Sequence, residues 1–125
     1  MTPPDAVRVR RATPADAADI ARLALEIQDV HVAGHPELFK PGGGEPCAEI
    51  ANRVIAPGQF YWIATLADVP VGYAYARLVT DPESLWRYES RWLLLDQMGV
   101  DARHRSRGIG EAVDEKVIDD AALRT

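Results

Sequence analysis

An apolar stretch, Trp86 to Val100, that runs straight into a basic, glycine-bearing segment constrains this chain more than any other feature. Trp92, Leu93, Leu94 and Leu95 give the stretch the character of a long strand. Arg103, Arg105 and Arg107 follow, then Gly108-Ile109-Gly110. Val113, Val117, Ile118 and Ala121 then repeat at helical spacing. The segment therefore reads as a strand end, a basic loop and a helix start. Free N–H groups and the positive end of a helix dipole make such a start an anion site. Gly108 and Gly110 let a phosphate approach the backbone, and Arg105 and Arg107 add charge. On Gly-x-Gly alone, a solvated surface loop is the commoner outcome. A Walker loop is excluded because no Gly-Lys-Ser/Thr follows, and a dinucleotide fingerprint because its third glycine would fall at Val113.

Upstream, Val7 and Val9 alternate with Arg8 and Arg10 as a short half-buried strand. Thr13-Pro14-Ala15-Asp16 opens a helix, with Thr13 as cap and Asp16 answering back. Ile20, Leu23, Ala24, Ile27 and Val30 share one face of that helix. Gly34 to Pro46 is a loop carrying a triple-glycine run that favours mobility. A short helix is expected over Cys47–Ile55, closed by Pro57-Gly58. Strands are expected over Gln59–Leu66 and Val71–Val79, with a tight reversal at Ala67 to Pro70 and a turn at Asp81 to Ser84. Gly72 marks a bulge or a close approach. The order is strand, two helices, three meandering strands and a crossover helix. Such a helix calls for a following strand or a partner.

The 125 residues suffice for one domain, 1–125. A hydrophobic share of 47% with 26% charged residues is that of an ordinary globular chain. No apolar run approaches the roughly 20 residues needed to cross a bilayer, and Met1 to Arg11 has no signal-peptide pattern, so the expectation is a cytoplasmic protein with no membrane partner. A net charge of −5 argues against a nucleic-acid partner. Cys47 is the sole cysteine, which excludes an internal disulfide framework and a Cys-based zinc site.

Arg105-Ser106-Arg107-Gly108-Ile109-Gly110 resembles the Gln/Arg-x-x-Gly-x-Gly/Ala pattern of the GNAT superfamily of N-acetyltransferases, and Val100 sits where that family ends its fourth strand. Val9 to Asp16 is similar to the family's first strand and helix start, and Phe60 to Tyr73 to its second and third strands. His35 to Pro41 resembles a loop of one bacterial branch, so the likeness runs through nearly the whole chain in family order. It implies an α/β (α+β) fold: a mixed, mostly antiparallel sheet flanked by helices. It also implies acetyl-CoA as acyl donor and an amine as acceptor. Backbone groups of Met98, Gly99 and Val100 would line the pantetheine arm, and N–H groups from Arg105, Ser106, Arg107, Gly108, Ile109 and Gly110, extending to Glu111, would hold the pyrophosphate. A strand N–H near Met98 would stabilise the oxyanion. Family members continue past this helix with further strands, so the chain reads as truncated at its C-terminus relative to them. Asp114 also stands where the family has an apolar residue. The alternative is a non-catalytic acyl-CoA-binding or interaction domain.

Asp96, four residues before Val100, is the candidate general base. An edge-exposed aspartate is an equal alternative, and a bulge would decide its face. Glu26 on the first helix is a weaker base candidate than Asp96, and a solvated helix-face residue is the preferred reading of it. His31 and His35 have metal-pair spacing, but Gly34 and Pro36 break the helix, so no metal site is expected. Tyr73, Tyr75, Tyr88, Trp62, Trp86 and Trp92 read as packing or interface residues. The apolar edge over Trp86–Val100 predicts a homodimer.

Overall fold

The computed structural model describes residues 6–42, 44–105 and 107–124. Strand β1 (Val7–Arg11) leads to a single 3-10 turn, Pro14–Asp16, and then to helix α1 (Ala17–Gly34). The cap forms as the residue types dictate. The Thr13 N–H donates to Asp16 Oδ2 at 2.8 Å, and Arg10 grips the same carboxylate through two bonds of 2.8 Å. That Arg10 pairing, with the Thr13 bonds, holds the Asp16 carboxyl below its ordinary range against the cost of its burial.

Helix α2 (Cys47–Val54) precedes β2 (Gln59–Leu66), β3 (Val69–Asp81), β4 (Ser90–Val100) and α3 (Ile109–Arg124). The described sheet has the order β1-β2-β3-β4, and every pairing in it is antiparallel. Ala67 and Asp68, at φ 50° and 64°, make the two-residue turn between β2 and β3. β4 starts at Ser90 and not at Trp86, because Ser84 Oγ takes the N–H groups of Trp86 and Arg87 at 3.2 Å. Those donors are withdrawn from any ladder, and Trp86 is left exposed on the hairpin tip.

Alternation along the strands sorts the core into two layers. Tyr61, Ile63, Tyr73 and Tyr75 face α1 and α2, meeting Ile20, Leu23, Ile50 and Val54. Trp62, Ala64, Ala74 and Ala76 face α3, meeting Ile109, Val113 and Val117. The acidic character of α3 has a use at one position: Trp62 Nε1 donates to Asp120 Oδ2 at 2.6 Å, and Lys116 pairs with the same carboxylate at 3.1 Å. Burial pushes Asp120 up, but the bonds from Trp62 and Lys116 leave it below its ordinary value.

Two bulges shape the sheet. Ala64 pairs Gly72 while Thr65 pairs Pro70, which leaves Val71 extra on β3. Tyr75 pairs Gln97 while Ala76 pairs Leu95, which leaves Asp96 extra on β4. Gly72 is a close approach as well, since a methyl group there would lie 3.0 Å from Gly99 O and 3.3 Å from Ile109 Cγ2.

Candidate functional site

The bulge at Asp96 bends β4 and takes its carboxylate out of the regular alternation. Asp96 then lines a cleft of about 790 Å³ on the α1 side of the sheet. One wall is α1, through Ala24, Ile27, Gln28 and His31; the other is the following loop, through Lys40, Pro41, Gly42, Gly44 and Glu45. Tyr73, Gln97 and Met98 line it from the strands. Asp96 is two-fifths exposed and pairs with Arg77 of β3 at 3.5 Å.

The loop wall is tied down at three places. Gln28 Nε2 donates to Lys40 O at 3.0 Å, and the His31 ring lies 4.8 Å from that of Phe39. Glu45 pairs with Arg53, whose Nε donates to Tyr61 Oη at 3.1 Å. The bond to Glu45 holds the Arg53 guanidinium above its ordinary value. Tyr61 stacks on Tyr75 at 4.5 Å. Tyr73 Oη donates to Gln97 Oε1 at 2.9 Å, and burial pushes the Tyr73 phenol up to about 12. It is therefore a fixed donor at neutral pH, already committed to Gln97.

β4 leaves the cleft and reaches its end four residues after Asp96. Gly99 pairs Tyr73 and Val100 pairs Gly72, after which the Asp101 N–H donates to Val71 O at 2.7 Å. The bulge at Val71 thus helps to set where the strand stops. Asp101 is 2% exposed. Its carboxylate accepts from Arg103 N at 2.9 Å, Arg103 Nε at 3.2 Å and Arg103 Nη2 at 3.0 Å. Those bonds hold it well below the usual carboxylate range. The result is a tight turn over Ala102–His104.

Beyond the turn, Arg105 is extended, and Arg105 and Arg107 are exposed. Ser106 lies outside the described residues. Gly108 has φ 76°, the left-handed region that favours glycine, and its carbonyl accepts from Ala112 N at 3.1 Å. α3 therefore starts at Ile109, whose buried side chain anchors it under the sheet. The N–H groups of Ile109, Gly110 and Glu111 precede the first helical bond and have no partner within the helix. Nothing lies within 4 Å of a methyl group built on Gly108 or Gly110, so this helix start is open on its outer side.

The expected residues thus fall into two groups joined by β4: Asp96 and Met98 at the cleft, and Arg105, Arg107, Gly108, Ile109 and Gly110 at the helix start. Gly99 and Val100 lie between them. Sequence reasoning missed Asp101, although an Asp two residues before an Arg in a turn is a known local pattern. It also missed what Glu26 and Arg22 do. Glu26 Oε1 accepts from Ala102 N at 2.8 Å. Arg22 donates to Pro70 O at 3.2 Å and lies 3.7 Å from Asp101. Among the described residues no group of three or more His, Cys, Asp or Glu could hold a metal ion, and no helix is long and apolar enough to cross a membrane.

Solved structures share this fold. A point mutant of the BH1408 protein from Bacillus halodurans superposes with a TM-score of 0.86 at 19% identity, over 94% of this chain and 76% of that one. An acetyltransferase from Vibrio fischeri gives 0.76 at 18% identity, over 90% and 84%. An aminoglycoside acetyltransferase from an uncultured soil metagenomic sample gives 0.72 at 19% identity, over 95% and 74%. A search among curated proteins finds no match. The family model for the acetyltransferase (GNAT) family matches residues 24–124, a span holding the cleft, β4 and the glycine-bearing helix start, and the chain belongs to that family.

Proposed function

We propose that this acyltransferase-family chain moves an acetyl group from acetyl-CoA to a primary amine of a small molecule or a protein. One observation carries the reading: a single strand, β4, joins a bulged, acid-bearing cleft to an open, cationic helix start. The helix start suits a pyrophosphate, and the distance along β4 suits an extended thioester arm. Met98, Gly99 and Val100 are the backbone such an arm would follow, with Arg105, Arg107 and the N–H groups up to Gly110 around the phosphates.

In this reading the amine enters between α1 and the Lys40–Glu45 loop and attacks the thioester carbonyl at the bulge. A new C–N bond forms, the C–S bond breaks, and the sulfur leaves as a thiolate that takes a proton from solvent. A strand N–H near Met98 stabilises the oxyanion. Asp96 takes the proton that the amine gives up, supported by its exposure to the cleft.

The same reading is of a cytoplasmic enzyme, and of one without a nucleic-acid partner, the latter supported by a net charge of −5. It includes a second copy at the outer edge of β4, supported by exposed Trp92, Leu94 and Leu95 there. Sedimentation across a dilution series should show a dimer; monomer at every concentration would remove that part.

The test of the reading is calorimetric titration of acetyl-CoA into the full chain, then a primary-amine panel followed by thiol release. Binding near one per chain with amine-dependent thiol release is expected. Asp96→Asn should lower kcat by about 10²-fold with little change in acetyl-CoA affinity. A folded chain that binds no acetyl-CoA would sink the reading.

A further inference from the structure

We propose that Glu26 of α1 is a positioning residue for the donor: it orients the Asp101–His104 turn, where β4 gives way to the basic stretch, through the Ala102 N–H. The inference rests on the acetyl-CoA reading above and adds a residue from a distant part of the chain.

The turn that carries β4 towards α3 has three successive N–H groups, and each has its own acceptor. Arg103 N donates to Asp101 Oδ1 at 2.9 Å and His104 N to Asp101 O at 2.9 Å. Both of those acceptors belong to the turn itself. Ala102 N is different, because its acceptor is Glu26 Oε1 at 2.8 Å, 76 residues earlier. Local bonds give the turn its shape, but they do not orient it relative to the rest of the molecule. Bonds to other elements do that: the Asp101 N–H to Val71 O of β3 at 2.7 Å fixes the end of the strand, and Glu26 adds the bond to α1 at the turn's first residue.

Arg22 supports the same grip. It lies one helical turn before Glu26, reaches Pro70 O at 3.2 Å and stands 3.7 Å from the buried Asp101 carboxylate. One face of α1 thus holds the end of β4 from two sides. Another part of the same helix, Ala24, Ile27 and Gln28, walls the acceptor cleft. A fixed α1 therefore places donor loop and acceptor cleft in one frame. Reaction between two bound groups depends on such placement, because errors near 1 Å already cost rate.

Glu26 is a carboxylate close to where a polyanion would lie, which is unfavourable unless the carboxylate has another task. The Ala102 N–H is that task, and Arg103, whose guanidinium is raised by Asp101 first and by Glu26 in lesser part, offsets the charge.

The test compares the unmodified chain with Glu26→Ala and Glu26→Gln. A glutamine oxygen still accepts from Ala102 N, whereas alanine cannot. Calorimetry with acetyl-CoA should show Kd raised about tenfold in Glu26→Ala, the scale of one bond to a charged acceptor, and largely restored in Glu26→Gln. Hydrogen exchange at the Ala102 amide should be faster in Glu26→Ala and not in Glu26→Gln, with both melting near the unmodified chain. Equal Kd in all three would overturn the inference while leaving the acetyl-CoA reading intact. Tighter binding by both variants would overturn it too, by showing charge repulsion in place of positioning. An unmodified chain that binds no acetyl-CoA overturns the underlying reading and this inference with it.

Discussion

Ile27 on α1 and Gly99 on β4 are in such close contact that a methyl group on Gly99 would lie 1.5 Å from Ile27 Cδ1 and 2.8 Å from Ile27 Cγ1. The helix can lie this near the strand only because position 99 has no side chain. Gly99→Ala should therefore cost about 1–3 kcal/mol, as overpacking does. Ile27→Ala removes both offending carbons. In the double variant the loss should be smaller than the sum of the two single losses, by about 1 kcal/mol or more. Urea unfolding of the four chains measures this. Strict additivity would mean that Ile27 simply turns away.

The two glycines at the start of α3 should behave differently when replaced by alanine. Gly108 has φ 76°, so alanine is strained there by about 1 kcal/mol although space is open. Gly110 has no such φ and nothing within 4 Å, so alanine should stabilise the helix start by about 0.5 kcal/mol. If phosphates rest on this backbone, the added methyl should nonetheless weaken acetyl-CoA binding about tenfold or more. A variant that melts higher and binds worse separates the two effects in one chain. Unchanged affinity would move the phosphates away from Gly110.

What was legible in the sequence was what depends on near neighbours. The Thr13 to Asp16 cap, a helix following the Arg103–Gly110 stretch (it begins at Ile109, two residues earlier than that reading) and the bulge or close approach at Gly72 all follow from residue type and short spacing. The family resemblance was legible for the same reason, since it rests on short runs, Arg105 to Gly110 among them, that follow one another in family order along the chain. Asp96 was different. Its face depends on Asp96 being the extra, unpaired residue of β4 opposite the Tyr75–Ala76 step of β3, which only the pairing shows. Glu26 read as an ordinary helix-face residue because its partner is 76 residues away. The acidic run on α3 has a partner across the core at one position, where Trp62 bonds to Asp120. The apolar run places Trp86 in β4, but the Ser84 hydroxyl takes its N–H and the strand begins only at Ser90.

Asp101 makes acid stability a direct test of the loop. Its carboxyl is held well below the usual range by Arg103 bonds, so the folded state keeps the charged form more strongly than the unfolded chain does. That stability is fully present above the unfolded value of roughly 3.9 and is lost as pH falls towards the lower folded value. Asp16 acts in the same direction through Arg10. Asp101→Asn should cost about 2 kcal/mol at neutral pH, the scale of bonds to a buried charged acceptor. The gap between the two chains should then narrow as pH falls from about 5 towards 2. Melting curves at several pH values check both points. A gap independent of pH would place the loss in shape and not in charge.

Tyr73 makes the converse test at high pH. Burial pushes its phenol up to about 12, and burial also pushes Tyr61 up. A raised phenol favours the folded state while it stays protonated. The unfolded chain begins to lose that proton near its ordinary value of roughly 10, so stability should fall as pH rises from about 10 to 12. Tyr73→Phe removes the group that responds and the 2.9 Å bond to Gln97. At neutral pH the variant should lose about 0.5–1 kcal/mol, because Gln97 lines the cleft and water can replace the lost donor. Its alkaline unfolding should be shallower than that of the unmodified chain. Phenolate absorbance during a pH titration gives an independent reading. The unmodified chain should show one phenol ionising only near the top of this range, and Tyr73→Phe should lack that step. Loss of the step in both chains, or its survival in the variant, would assign the buried phenol to another residue and detach Tyr73 from the cleft floor.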